Sequence, residues 1–277
     1  MRADCHIHMV LDGYNWKTAI ARHAEKPDDD FIRQVLSGYQ QMGYTYLRDG
    51  GDRWGVGKRA REIAPDYGII YRTPLSPLHR KGHYGGFIGT GYENLREFAQ
   101  LVVRTREAGG DFIKIMISGL MDFNRFGVLT EPGLPPEEIR ELIHISHCEG
   151  MAVMVHCNGA RTAEAAAIAG AASVEHGAYL DADALAAMHQ QGTVWVPTLS
   201  TVANLRGTGR FSETDVQRIY ESTRENLGKY KGLIAPGTDS GAWAVPHGSC
   251  TEEALLEEIG IDADRLQAGI RKIQTAF

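Results

Sequence analysis

The run D111-F-I-K-I-M-I-S-G119 decides the fold class. Phe112, Ile113, Ile115, Met116 and Ile117 surround a single charge, Lys114, so the run reads as a strand apolar on both faces. That is the pattern of a parallel sheet covered by helices. Outward from it, similar short runs recur at Asp4 to Ile7, Thr45 to Arg48, Gly68 to Arg72, Ala152 to Val155, Ala172 to Val174, Thr193 to Val196 and Leu233 to Ala235. Helix-like segments lie between them: Asp29 to Gln41, Asn94 to Ala108, Pro136 to Cys148, Ala160 to Ala169, Asp181 to Gln190 and Thr214 to Lys229, with Ala254 to Glu258 and Asp264 to Gln274 closing the chain. Asp181 and Ser212 stand where N-caps belong, and Gly170 and Gly192 follow their helices as C-caps. Eight βα units in roughly 250 residues predict an α/β fold of the (β/α)8 TIM-barrel type, one domain over residues 1–277. An open doubly wound sheet is the alternative. It would gather its polar residues at one crevice, whereas here they follow strands one, four, five, six and eight.

One connection lacks this rhythm. Residues Pro74 to Gly91, PLSPLHRKGHYGGFIGTG, contain five glycines and little apolar periodicity, and read as a lid over the site or an irregular surface loop. Composition narrows the function further. With 29 Lys plus Arg against 35 Asp plus Glu, the net charge is -6, and no basic stripe is present to neutralise a phosphate backbone. Nucleic acid is not an expected partner. No apolar run approaches the roughly 20 residues of a membrane span, so a cytoplasmic enzyme is expected. The four cysteines, Cys5, Cys148, Cys157 and Cys250, form no close pair and read as reduced thiols.

The chemistry sits at the strand ends. His6 and His8 are two apart in an extended segment and project to one side, into the interior of a barrel. Alone they could be hydrogen-bonded core histidines. Lys114 alters the reading, because an unpaired buried ammonium is costly: it must be paired, for instance with Asp239, be deprotonated, or be carboxylated to a carbamate. His156 ends MAVMVHCNG, His176 ends AASVEHG and Asp239 lies in LIAPGTDSG, each where a strand passes into a glycine-containing loop. Such a set points to first-row divalent ions, zinc foremost, with Glu175 as a pairing residue behind the donors. His144, His147 and His189 fall in helical periodicity and read as surface or pairing residues.

These motifs, DCHIH at 4 to 8, FIKIMISG at 112 to 119, VHCNG at 155 to 159, VEHGAYLDAD at 174 to 183 and GTDSG at 237 to 241, resemble the amidohydrolase superfamily, in particular binuclear members related to imidazolonepropionase and the Xaa-Pro and acyl-amino-acid dipeptidases. The resemblance implies two divalent cations, His6 and His8 on the more buried one, carboxylated Lys114 as bridge, His156 and His176 on the second, and Asp239 as both ligand and proton-handling residue. It implies hydrolysis of an amide bond in a small dipeptide, N-acyl amino acid or cyclic amide by a metal-bridging hydroxide. A lactonase or phosphotriesterase, or a catalytically silent metal-binding barrel, are the alternatives. The flanking β-rich domain of many such relatives is largely missing from this sequence. That leaves either a barrel bottom covered by a second copy in a homo-oligomer, or a substrate unlike theirs. For a substrate carboxylate the candidates are Arg48, Arg72, His79, Arg80, Lys81 and His83, and for pocket walls Tyr84, Trp243 and His247.

Overall fold

The computed structural model describes residues 2–277. The chain runs β1 (Arg2–Ile7), α1 (Trp16–Arg22), α2 (Asp29–Gln41), β2 (Tyr44–Asp49), α3 (Val56–Ile63), β3 (Ile70–Arg72), β4 (Leu78–Arg80), β5 (Thr90–Tyr92), α4 (Leu95–Glu107) and β6 (Ile113–Met116). It continues through α5 (Pro136–Cys148), β7 (Val153–Cys157), α6 (Ala160–Ile168), β8 (Ser173–His176), α7 (Ala182–Gln191) and β9 (Val194–Val196) to α8 (Leu199–Leu205), α9 (Glu213–Lys229), α10 (Thr251–Glu258) and α11 (Ala263–Ala276). Local chemistry sets these bounds. Asn94, Asp181 and Asp262 each cap a helix by accepting from the backbone three residues on, and Gly192 ends α7 in the left-handed region.

Every strand pairing is parallel, in two sheets: three strands ordered β1-β2-β3 and six ordered β5-β4-β6-β7-β8-β9. This corrects the expectation of eight like strands in one sheet. The run Leu233 to Ala235 forms only an isolated bridge, Trp195 to Ile234, and a second bridge joins Ser240 to Ile7. Its hydrogen bonds nonetheless reach both sheets: Trp195 N donates to Leu233 O and Ala235 N to Trp195 O, while Cys5 N donates to Pro236 O and Asp239 N to His6 O. Pro236 has no N–H to give, which splits the ladder into separate bridges. Where β3 faces β6, Asp111 N donates to Thr73 O at 2.9 Å, and the Asp111 carboxylate accepts from Thr73 N, Arg61 and Arg72.

The Pro74 to Gly91 stretch is also corrected, since it is not without regular structure. It contains β4, which pairs with both β5 and β6, and it buries Leu78 and Ile88. Strands of three residues are too short to show alternation, and the glycines between them conceal the pattern. The core lies between sheet and helices, with Ile113, Ile115, Val153, Val155, Val174 and Trp195 fully buried against α4 to α7. No helix among the described residues is long and apolar enough to cross a membrane.

Candidate metal centre

His6 lies in β1 and His8 just past its end. The two Nε2 atoms are 3.3 Å apart, and both face Asp239 Oδ1, at 3.5 Å from His6 and 3.3 Å from His8. A Cβ at Gly50 would overlap the His8 ring and one at Gly241 its carbonyl oxygen, so this approach requires glycine at both positions. His176 and His156 extend the cluster: the His176 ring centroid is 5.1 Å from that of His6 and 4.5 Å from that of His156. Lys114, in β6, lines the same cavity with its amine buried and without a hydrogen-bond partner among the described residues. It is not paired with Asp239, whose Oδ1 is also buried without a hydrogen bond. Buried groups are rarely left so; a cation among these atoms would satisfy the Asp239 oxygen, and the Lys114 amine only in its neutral or carboxylated form.

Backbone strain collects here. His176, Thr198 and Asp239 all have positive φ, at 67°, 48° and 60°, a conformation that non-glycine residues adopt only when their surroundings impose it. At His176 this turns the side chain out of strand alternation, which lets His176 and its neighbour Glu175 both serve the same site.

Three of the four imidazoles are oriented from behind, while His8 Nδ1 is buried with no hydrogen-bond partner among the described residues. Glu175 Oε2 lies 2.7 Å from His6 Nδ1, so the ring donates there and aims the Nε2 lone pair at the cluster. Glu175 is fixed by Arg48, whose guanidinium also donates to Cys5 O and Ser173 Oγ. His176 Nδ1 is 2.7 Å from Thr198 Oγ1. His156 Nε2 donates to Gly119 O at 3.3 Å, leaving Nδ1 as its acceptor. Asn158 joins three loops, its side chain accepting from Ala178 N and donating to Gly119 O, and its backbone N–H donating to Ser118 Oγ. Thr238 clamps Asp4 at 2.6 Å beneath His6.

Electrostatics favour donor forms of these groups. Burial, with Lys114 adding to it, holds His6 and His176 well below the usual histidine range and His156 down to about 3. Burial brings Lys114 down to about 8, opposed chiefly by Glu175. Asp239 is lowered although its burial acts the other way, because His8, His6 and Lys114 stabilise its charge.

The remaining candidates divide. Tyr84 and Trp243 line the cavity, and Tyr84 lies 4.7 Å from the His156 ring. Arg48 is fully buried in its pairing with Glu175, and Arg72, Arg80 and Lys81 pair with Asp111, Glu138 and Glu93. His79 contacts Arg80 O, His83 is 3.6 Å from Glu131, and His247 faces Leu11 O; none of these lines the cavity. Glu252 belongs to the site although no local pattern marks it. From α10 it accepts Leu199 N at 3.0 Å and Ser200 N at 2.7 Å, anchoring the start of α8, which carries Thr201 to 3.3 Å from Asp239 Oδ2.

The fold has counterparts in solved structures. A Xaa-Pro dipeptidase with bound methionine superposes with a TM-score of 0.78 at 22% identity, covering 99% of this chain and 75% of that one. A protein described as an amidohydrolase gives 0.73 at 18% identity, over 99% of this chain and 74% of its own. The chain has the fold of the amidohydrolase superfamily. Aspergillus niger ochratoxinase shares that amidohydrolase fold, at TM-score 0.72 over 99% of this chain and 69% of its own, and is 27% identical in sequence over 276 residues. That alignment takes in 84% of this chain and 55% of ochratoxinase, so the chain spans about half the length of this curated relative. No family model matches the sequence.

Proposed function

We propose that residues 1–277 form one metal-dependent hydrolase domain, its two sheets acting as a single (β/α)8 barrel, and that it cleaves the amide bond of a small substrate. The observation that carries this reading is the convergence of His6 Nε2, His8 Nε2 and Asp239 Oδ1 within 3.5 Å, beside a buried lysine amine with no hydrogen-bond partner among the described residues. In this reading His6, His8 and Asp239 would hold one divalent cation and His156 and His176 a second, and Lys114, as a carbamate, would add a further oxygen donor. Nitrogen and oxygen donors suit zinc. A neutral lysine amine adds to carbon dioxide through a new N–C bond and releases one proton. Burial, which brings Lys114 to about 8, keeps a share of that amine neutral near physiological pH.

Cations of this kind supply a nucleophile from water at neutral pH and polarise the carbonyl under attack. The chain's residues do the rest. Asp239 accepts the proton that the attacking water gives up and passes it to the leaving amine. Thr201 supports the second oxygen of that carboxylate, while Glu175 holds the tautomer of His6 and Thr198 the orientation of the His176 ring. Protein purified without chelator should carry about two divalent ions per chain by elemental analysis, lose amide hydrolysis when stripped, and regain it on reloading. A single ion in fully active protein would refute the binuclear version. Stoichiometric metal with no turnover of any amide would refute the hydrolase.

A further inference from the structure

The cavity above the donor cluster has a volume of about 300 Å³, and its walls are aromatic. On one side Trp16 packs edge-on against Phe87, with ring centroids 5.9 Å apart, and Phe87 against Tyr84 at 5.7 Å; Tyr84 then reaches the ring of His156. Phe123 and Trp243 also line the cavity, and Phe211 packs on both, at 5.2 and 5.5 Å. These rings share one lining with the donor histidines, so a scissile bond placed at the donors has aromatic surface within the same cavity.

Positive charge is confined to the base. Among the lining residues Lys114 is the only lysine or arginine, and the proposed centre already engages it. Lys17 and Arg210 lie over the rings of Trp16 and Trp243, at 5.5 and 4.0 Å, and Arg53 donates to Gly86 O beside Phe87; none of the three lines the cavity. A carboxylate held against these walls, away from the base, would lose its water and meet no lysine or arginine, which is among the costliest transfers available. Flat apolar groups, by contrast, gain both area and ring contacts.

Building on the hydrolase reading above, we propose that the substrate is an uncharged carboxamide that carries aryl groups and no free carboxylate.

The test compares N-benzoylphenethylamine with N-benzoyl-L-phenylalanine, which differ only by a carboxylate, and with the small N-acetylglycine, on metal-loaded full-length protein. The neutral diaryl amide should lead in kcat/KM by about tenfold or more, as expected for an unpaired charge in an apolar site. Trp243→Ala and Phe87→Leu should each raise its KM by roughly tenfold, the scale of one lost apolar contact surface, while Arg210→Met leaves the preference unchanged. Calorimetric titration of the same two compounds into metal-free protein gives a readout independent of turnover. Preferential hydrolysis of the carboxylate compound, or its loss in Arg210→Met, would overturn the substrate class and leave the hydrolase standing. If nothing is hydrolysed, the hydrolase reading fails, and binding alone decides: tighter binding of the neutral amide supports the pocket assignment, and equal or weaker binding overturns it.

Discussion

Replacing Arg48 with methionine should destabilise the protein far more than the loss of one surface charge would. The guanidinium is fully buried and makes bonds of 2.7 Å to Cys5 O, 2.9 Å to Ser173 Oγ and 2.8 Å to Glu175 Oε1. Methionine fills similar volume but leaves Glu175, equally buried, with only His6 Nδ1 and the Ser173 hydroxyl. Removing one partner of such a pair typically costs about 3–5 kcal/mol, because the other charge stays in a poorly solvating interior. At the roughly 2–4 °C per kcal/mol found for domains approaching this size, the melting temperature should fall by on the order of 10 °C. The double variant Arg48→Met/Glu175→Gln has no orphaned charge and should recover part of the loss. Urea unfolding of metal-free protein at one pH measures all three chains. A single variant within about 1 kcal/mol of wild type, or a double variant weaker than the single, would refute the assignment of Arg48 as the counter-ion that holds Glu175.

Two other perturbations probe different parts of the site. Asp239→Asn retains one oxygen but cannot carry a proton, so kcat on an amide should fall about 10²-fold or more in metal-assayed samples, and a change within about threefold would count against the proton role. Glu252 is held up to about 7 by burial, above its ordinary 4.5, so its stabilising contribution is full below about 4.5 and is lost as the pH rises through 7. The stability advantage of wild type over Glu252→Gln should therefore shrink between pH 5 and pH 8, by up to about 3 kcal/mol, and a pH-independent difference in denaturation midpoints would count against it.

Much of the scaffold was legible because its signals are local. α2 and α5 run over the predicted residues, since each joins an amphipathic period to a clear start. The donors were legible for another reason: ionisable groups at the ends of apolar strands have few innocent explanations. What stayed hidden depends on distant partners. Arg48 stands at a strand end like a substrate-binding arginine, but alternation in a strand buried on both faces cannot tell the interior from the helix layer, and its partners Ser173 and Glu175 are over 120 residues away. Glu252 caps a helix from 52 residues further along the chain, where no capping pattern could reveal it. Thr198 and His176 take a backbone conformation that nothing in their residue types announces.

The excursion from β4 to β5 places Tyr84 and Phe87 in the cavity while the clustered donors come from β1, β6, β7, β8 and the segment before Ser240. Roof and floor are therefore written in separate stretches of sequence. Both strands of the excursion are tied into the sheet by main-chain pairing, so Tyr84 and Phe87 between them can be exchanged without disturbing that attachment, whereas Gly85 and Gly89 cannot, because a Cβ there would meet Met116 and Pro77 O. Divergence, or an engineer, can redraw what the pocket admits by editing Tyr84 and Phe87, while the machinery beneath passes unchanged from one descendant to the next.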